Sequence, residues 1–340
     1  MSDPMLLQDK ARGCLLGLAV GDALGQPTEG KTLEYIRSTY GRITDFVAEH
    51  PGVSDDTEYA LFSASILLKY GLGFTSRQVA QEWMEHLASQ AGGFKGAGFS
   101  EMAAIENLRR GLLPPASGDH IHSWSDGLAM RVAPFAIVAP GKPALAAELA
   151  RRDGAVSHSG EGIYAGQAVA AATAVALTLD PAEKDDEVCL LLAQSALEVI
   201  PNDSWTARAI TRGVEIGRSC SDVWEALESL YGAIVAQYYH WSDLAPEAVG
   251  LAFGLIAAAR GDFVQSVLGG VNIGRDTDTI AAIAGSITGA LGGLASIPSS
   301  WGDPIESVRG ICIKTVAGMH VLDTADALVN LAQGGEADEL

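Results

Sequence analysis

Two short acidic segments carry the residue types suited to metal-assisted chemistry: Ser54-Asp55-Asp56 in PGVSDDTEY and Asp276-Thr277-Asp278-Thr279 in GRDTDTIAA. Each runs directly into an alanine-rich apolar stretch, so each reads as a helix start. Taken alone, Ser-Asp-Asp is what an ordinary helix needs, with Ser54 as N-cap and carboxylates favoured by the helix dipole. Two such starts in one chain supply four carboxylates and the hydroxyls of Ser54 and Thr279. These are hard oxygen donors, with no nearby Cys and no metal-spaced His, and they suit Mg²⁺, Mn²⁺ or Ca²⁺ rather than zinc.

If the two starts converge, four carboxylates in one place repel unless cations neutralise them, and two ions would do so. Such a pair can hold vicinal sugar hydroxyls and orient a water molecule. A third piece, GLAVGDALGQPTEG, places Asp22 and Glu29 around the end of a first helix, where Pro27 forces an exit into a loop. Glu29 there is an ordinary surface glutamate, a general acid or base facing the metals, or a flexible gate over them.

The elements that must position these groups are helical. Apolar residues at helical spacing recur over 59–68, 162–177, 248–259 and 279–291, and alternating strand patterns are scarce. Gly13, Gly17, Gly21 and Gly25 stripe one face of the first helix, and Gly285 and Gly289 follow the second acidic motif. Glycine costs roughly 1 kcal/mol against alanine in a helix, so both stripes call for close backbone packing. The expectation is an all-α, single-domain orthogonal helical bundle over residues 8–333, with 334–340 as a polar tail.

Composition narrows the partners. Of 340 residues, 42 are acidic and 22 basic, a formal net charge of -20 that opposes general nucleic-acid binding. Cys14, Cys189, Cys220 and Cys312 are too dispersed for a zinc knuckle or disulfide framework and read as reduced, buried thiols. The first residues lack a basic start followed by an apolar run, and the apolar stretches, broken by Asp22, Arg260 or Asp262, fall short of a membrane span. A cytoplasmic location, with no membrane association, is expected.

Five segments, in order, carry a family resemblance: GCLLGLAVGDALGQPTEG, SDDTEYAL, DGLAMRVAP, VSHSGEG and NIGRDTDTIAAIAGSITGA. The chain resembles the ADP-ribosylglycohydrolase family from about residue 10 to about residue 320. The resemblance implies a two-magnesium centre, with Mn²⁺ as a possible substitute, held by Ser54, Asp55, Asp56, Asp276, Asp278 and Thr279. Glu29 matches the family's loop glutamate, which makes Glu29 and Asp55 the catalytic candidates.

The family's ADP-ribose-binding loop falls on Ser123, Trp124, Ser125, Asp126 and Gly127, ahead of Met130-Arg131, and His158 matches a histidine near the ligand. Asp126-Gly127 replaces a common Asn-Gly, and Gly274-Arg275-Asp276 a common Gly-Gly-Asp. Asp126 sets a negative charge beside a diphosphate, and Arg275 either offsets it by meeting a phosphate or a metal-ligating carboxylate, or points outward. His120 and His122 read as surface-loop residues without a metal. The run Tyr238-Tyr239-His240-Trp241 either roofs an adenine pocket or caps the core, with the core preferred.

The implied activity is release of ADP-ribose from an ADP-ribosylated protein or small molecule. Arginine-linked substrates come first, because a protonated guanidinium departs readily, and serine linkages come next. A glycohydrolase of a small N-ribosylated metabolite or nucleoside stays open, as does a catalytically silent ADP-ribose-binding or immunity protein.

Overall fold

The computed structural model describes residues 4–90, 98–182 and 185–335. Among the described residues there are sixteen α-helices, one π-helical segment, Trp83–Ala88, and short 3-10 turns, and the only β pairing is three isolated bridges. The all-α expectation holds. The final helix, Val321–Gly335, takes in the first two residues of the expected polar tail, and 336–340 lie outside the described residues. No described helix is long and apolar enough to cross a membrane.

The first helix, Pro4–Gly25, packs along Thr277–Gly292, and the glycine stripes explain how. A Cβ on Gly13, Gly17 or Gly21 would strike the carbonyl of Gly289, Gly285 or Ala281 respectively. With no side chain between them the two backbones touch over three turns, closer than ordinary ridge-and-groove packing allows. At the end of the stripe Gly25 lies against Asp278, and its carbonyl accepts from the Thr277 hydroxyl at 2.9 Å. The packing of the central helices therefore brings the Glu29 turn to the second acidic motif.

The same device recurs where Trp205–Ser219 meets Ala245–Ala258, with Gly213 and Gly217 against Gly250 and Gly254. Between these pairs runs Glu161–Ala176, whose buried face is mostly alanine. Small side chains throughout let many helices share one apolar core.

Candidate active site

Ser54 caps Asp55–Tyr70, its hydroxyl accepting from the Asp56 amide at 3.3 Å, as its sequence context dictates. A longer-range latch fixes this turn. Asp22, fully buried in the first helix, accepts from the Ser54 amide at 2.9 Å and from the Thr57 amide at 3.1 Å. Burial pushes the Asp22 carboxyl up to about 6, while the Thr57 and Ser54 hydrogen bonds pull against that rise.

The second acidic start is pinned differently. Gly274 and Arg275 both adopt positive φ, 85° and 68°, and a Cβ on Gly274 would collide with the Leu33 amide. Positive φ is strained for arginine, so surrounding bonds must hold it. They do: Arg275 N donates to Lys31 O at 2.7 Å and Gly30 N donates to Arg275 O at 2.8 Å. This bridge staples the Glu29 turn to Asp276, and one carboxylate oxygen each of Glu29, Asp276 and Asp278 lie within 4.8 Å of one another.

Glu29, Asp276 and Asp278, together with Ser54, line a cavity of about 400 Å³. Its described lining holds eight carboxylates, from Glu29, Asp55, Asp56, Glu101, Asp126, Asp243, Asp276 and Asp278, and no lysine or arginine. Asp56 Oδ2, Asp126 Oδ2 and Asp278 Oδ1 are buried with no hydrogen-bond partner. Thr279 Oγ1 reaches Asp56 Oδ1 at 3.4 Å, joining the two helix starts. Buried anionic oxygens without donors are costly, and a hard divalent cation is what such a donor set fits.

Burial, and then the neighbouring carboxylates, hold several of these acids above the usual carboxylate range. Asp55 and Asp56 are pushed well up by burial and by Asp278, Asp278 by burial, Asp276 and Glu29, and Asp126 by burial and Asp243. Partial enclosure and the facing Asp243 raise Glu29. Between the unfolded carboxylate value of about 4 and the raised folded values, the folded chain binds more protons. The stability contributed by these protons is complete below about pH 4 and is lost as pH rises. In chelator, the melting temperature is thus expected to fall between pH 5 and 8, with Mg²⁺ flattening the fall; thermal denaturation at both pH values, with and without the ion, checks this.

On the far side of the cavity, Ser125 caps the turn Asp126–Arg131, and Asp126 N donates to Asp243 O at 3.0 Å. The Ser125 hydroxyl sits 2.6 Å from Ser100 Oγ and 3.0 Å from His158 Nε2. His158 is buried, and its pKa lies well below the ordinary value because of that burial and the nearby Arg131. It is a neutral strut for the loop.

Arg131 is wholly buried between Glu101 at 3.0 Å and Asp153 at 2.9 Å, and it also donates to Gly127 O at 2.7 Å and Ser157 Oγ at 2.9 Å. Removing it would leave two buried carboxylates without a counter-charge. Arg131→Met is expected to cost about 3–5 kcal/mol, read as a fall in the urea midpoint.

The structure brings Ser54, Asp55, Asp56, Glu29, Ser125, Asp126, Gly127, Asp276, Asp278 and Thr279 to one cavity. Four expected ligand contacts lie off it. Ser123 is buried and bonded to Ser159 Oγ at 2.9 Å, and Trp124 rests against Gly160. His158 lies behind Ser125, and Arg275 turns to Glu247, at 2.5 Å, and to the carbonyls of Tyr239 and Trp241. Of the two alternatives for Arg275, the outward one is what the structure shows: it meets no metal-ligating carboxylate, and Glu247 is not part of the cavity lining.

The preference for core burial of the aromatic run is corrected. Tyr238 is fully exposed and Trp241 is 45% exposed, because Arg275 holds this segment over the cavity edge by its carbonyls. His240 and Trp241 line the opening, and Trp241 meets His122 edge-on, which in turn stacks on Phe99. Sequence reasoning missed Glu101, Asp243 and Phe99 as lining residues. The Ser-Asp pair following the aromatic run was the one available signal for Asp243.

The ADP-ribosylglycohydrolase family model matches residues 3–338. An uncharacterised protein of Archaeoglobus fulgidus is 34% identical over 304 residues, covering 87% of this chain and 91% of its own length. The ADP-ribosylarginine hydrolase Tri1 of Pseudomonas putida is 26% identical, covering 86% of this chain and 73% of its own. A solved ADP-ribosylglycohydrolase-related protein complex superposes with a TM-score of 0.66 at 26% identity, covering 96% of this chain and 99% of that one. The chain belongs to the ADP-ribosylglycohydrolase family. It is a glycohydrolase, an enzyme that releases ADP-ribose from an acceptor.

Proposed function

We propose that the protein hydrolyses the bond between ADP-ribose and an arginine side chain in a reaction that requires divalent cations, two Mg²⁺ in the cell. The observation that carries this reading is the convergence of buried, unpartnered carboxylate oxygens from Asp56, Asp126 and Asp278 on one cavity. Ser54, Asp55, Asp56, Asp276, Asp278 and Thr279 would hold the ions. Once bound, the ions would supply charge neutralisation and Lewis acidity at the ribose.

The chain's own groups do the rest. Glu29, stapled beside Asp276 and Asp278 and with its pKa raised, is placed to pass a proton to the departing group. Asp55 faces the same space and can take a proton from water. Ser125, Asp126 and Gly127 present a turn to the diphosphate, while Ser123, Trp124 and His158 hold that turn from behind. Phe99 and Trp241 offer aromatic faces for a base.

The arginine preference rests on charge. Eight lining carboxylates and no lining lysine or arginine favour a protonated guanidinium as leaving group. The name of the Pseudomonas putida relative points the same way. Incubation with peptides ADP-ribosylated on arginine or on serine, in Mg²⁺, tests this by the free ADP-ribose released. Release from the arginine peptide alone supports the reading, and release from serine alone transfers it to O-linked substrates.

A further inference from the structure

Beside the acidic cavity lies a second opening of about 300 Å³, to which the chemistry above assigns no role. The two share one edge: Gln26, Ser54 and Asp55 line both. A ribose held at that edge has the nucleotide-binding turn and the aromatic rings on one side. On its other side is the second opening. The group leaving the ribose must lie somewhere, and the first cavity is taken up by the nucleotide.

The walls of the second opening differ from those of the first. Val53 and Ile311 give it apolar surface, and Arg309 is the only lysine or arginine among the described residues lining either cavity. Arg309 is held across Gly52, its guanidinium carbon 3.4 Å from where a Cβ there would stand, and it donates to Pro51 O at 3.2 Å. Both Pro51 and Gly52 lead into the Ser54 cap.

This wall is built rather than draped. Glu58, one turn beyond Asp55 on the same helix, is fully buried and accepts from the amides of Ile311, Cys312 and Ile313 at 2.7, 2.8 and 2.7 Å. The Ser307–His320 bridge closes the segment that carries them. The helix that presents Asp55 to the ribose thus also fixes the wall of the second opening.

We propose that the second opening is the acceptor subsite. It takes the modified side chain and its flanking peptide, and Arg309 selects acceptors with a carboxylate next to the modified residue. The proposal rests on the ADP-ribosyl hydrolase reading. It adds a determinant that sequence gives no reason to single out, since Arg309 lies 254 positions after Asp55, outside every motif. Asp55, at the edge the two cavities share, faces the positive leaving group, and Arg309 reads the charge around it.

The test uses the full chain in Mg²⁺ and two peptides carrying the linkage it cleaves, one with acidic and one with basic flanking residues. Free ADP-ribose, titrated by calorimetry, reports on the first cavity separately. The wild type is expected to favour the acidic peptide by roughly tenfold in kcat/KM, as rim charges at interfaces do. Arg309→Glu should reverse that order. Ile311→Trp, which fills the opening, should lower kcat/KM for both peptides by about tenfold or more, and both variants should bind free ADP-ribose as the wild type does.

An unchanged peptide preference in Arg309→Glu overturns the subsite, as does wild-type turnover in Ile311→Trp. So does a parallel loss of ADP-ribose affinity, which would mark a structural disturbance of the first cavity. If the wild type cleaves neither the arginine nor the serine linkage in any peptide yet binds ADP-ribose, the hydrolase reading itself fails and the acceptor subsite falls with it.

Discussion

Asp278→Asn is expected to remove about three orders of magnitude of turnover at saturating Mg²⁺ while raising the melting temperature of the chelated protein. The two effects have one cause. Asp278 is 3% exposed, its Oδ1 has no partner, and Asp276, Glu29 and Asp22 all stand close enough to raise its pKa beyond what burial does. Without cations it is a buried charge among like charges, so a neutral isostere relieves repulsion. Relief of about 1 kcal/mol corresponds to roughly 1–2 °C in a chain of 340 residues.

With cations the sign reverses. On the proposed function the carboxylate would be a ligand, and losing it would weaken a charge stabilisation of several kcal/mol, which is the stated loss of rate. Differential scanning calorimetry in chelator and in Mg²⁺, alongside the turnover assay, separates the two regimes. A variant less stable than wild type in chelator would mean that the carboxylate serves the fold rather than a cation.

Glu29→Gln is expected to lower kcat by about 10²–10⁴ and leave KM within about threefold. Glutamine keeps the shape of the side chain and can still donate a hydrogen bond, but it cannot transfer a proton. The turn carrying it is held on both strands of the Lys31–Arg275 bridge, so the substitution leaves the position of the backbone fixed. If Glu29 acted only as a gate over the cleft, KM would rise and kcat would change little. Steady-state kinetics on one ADP-ribosylated substrate distinguishes these outcomes.

Much of this site is legible in the sequence because it is built from local signals. Ser54 and Asp276 sit where helix starts are expected, and the Gly13 to Gly25 stripe anticipates the close crossing with Gly285 and Gly289. That crossing is why Glu29 and Asp278, 249 positions apart, reach one cavity. Periodicity gives the face of a helix, and glycine on that face gives the distance of approach.

What stayed hidden is set by partners far away in the chain. Nothing near Asp22 shows that it will accept the amides of Ser54 and Thr57, and nothing near Glu58 announces the amides of residues 311–313. Arg275 is similar: its charge and its place beside Asp276 point to the cavity, but two positive φ angles and Glu247 turn it away. The aromatic run reads as core by composition. It is exposed because Arg275 ties it down through its carbonyls and leaves the rings free.

Following ADP-ribose release as Mg²⁺ is titrated into chelated enzyme decides whether the acidic cavity is a cation-dependent ADP-ribosyl hydrolase site. Wild type is expected to go from no release to full turnover, and an Asp55→Ala/Asp278→Ala double variant to stay silent at every Mg²⁺ concentration. Equal turnover of the two proteins, or full wild-type turnover in chelator, would contradict the account.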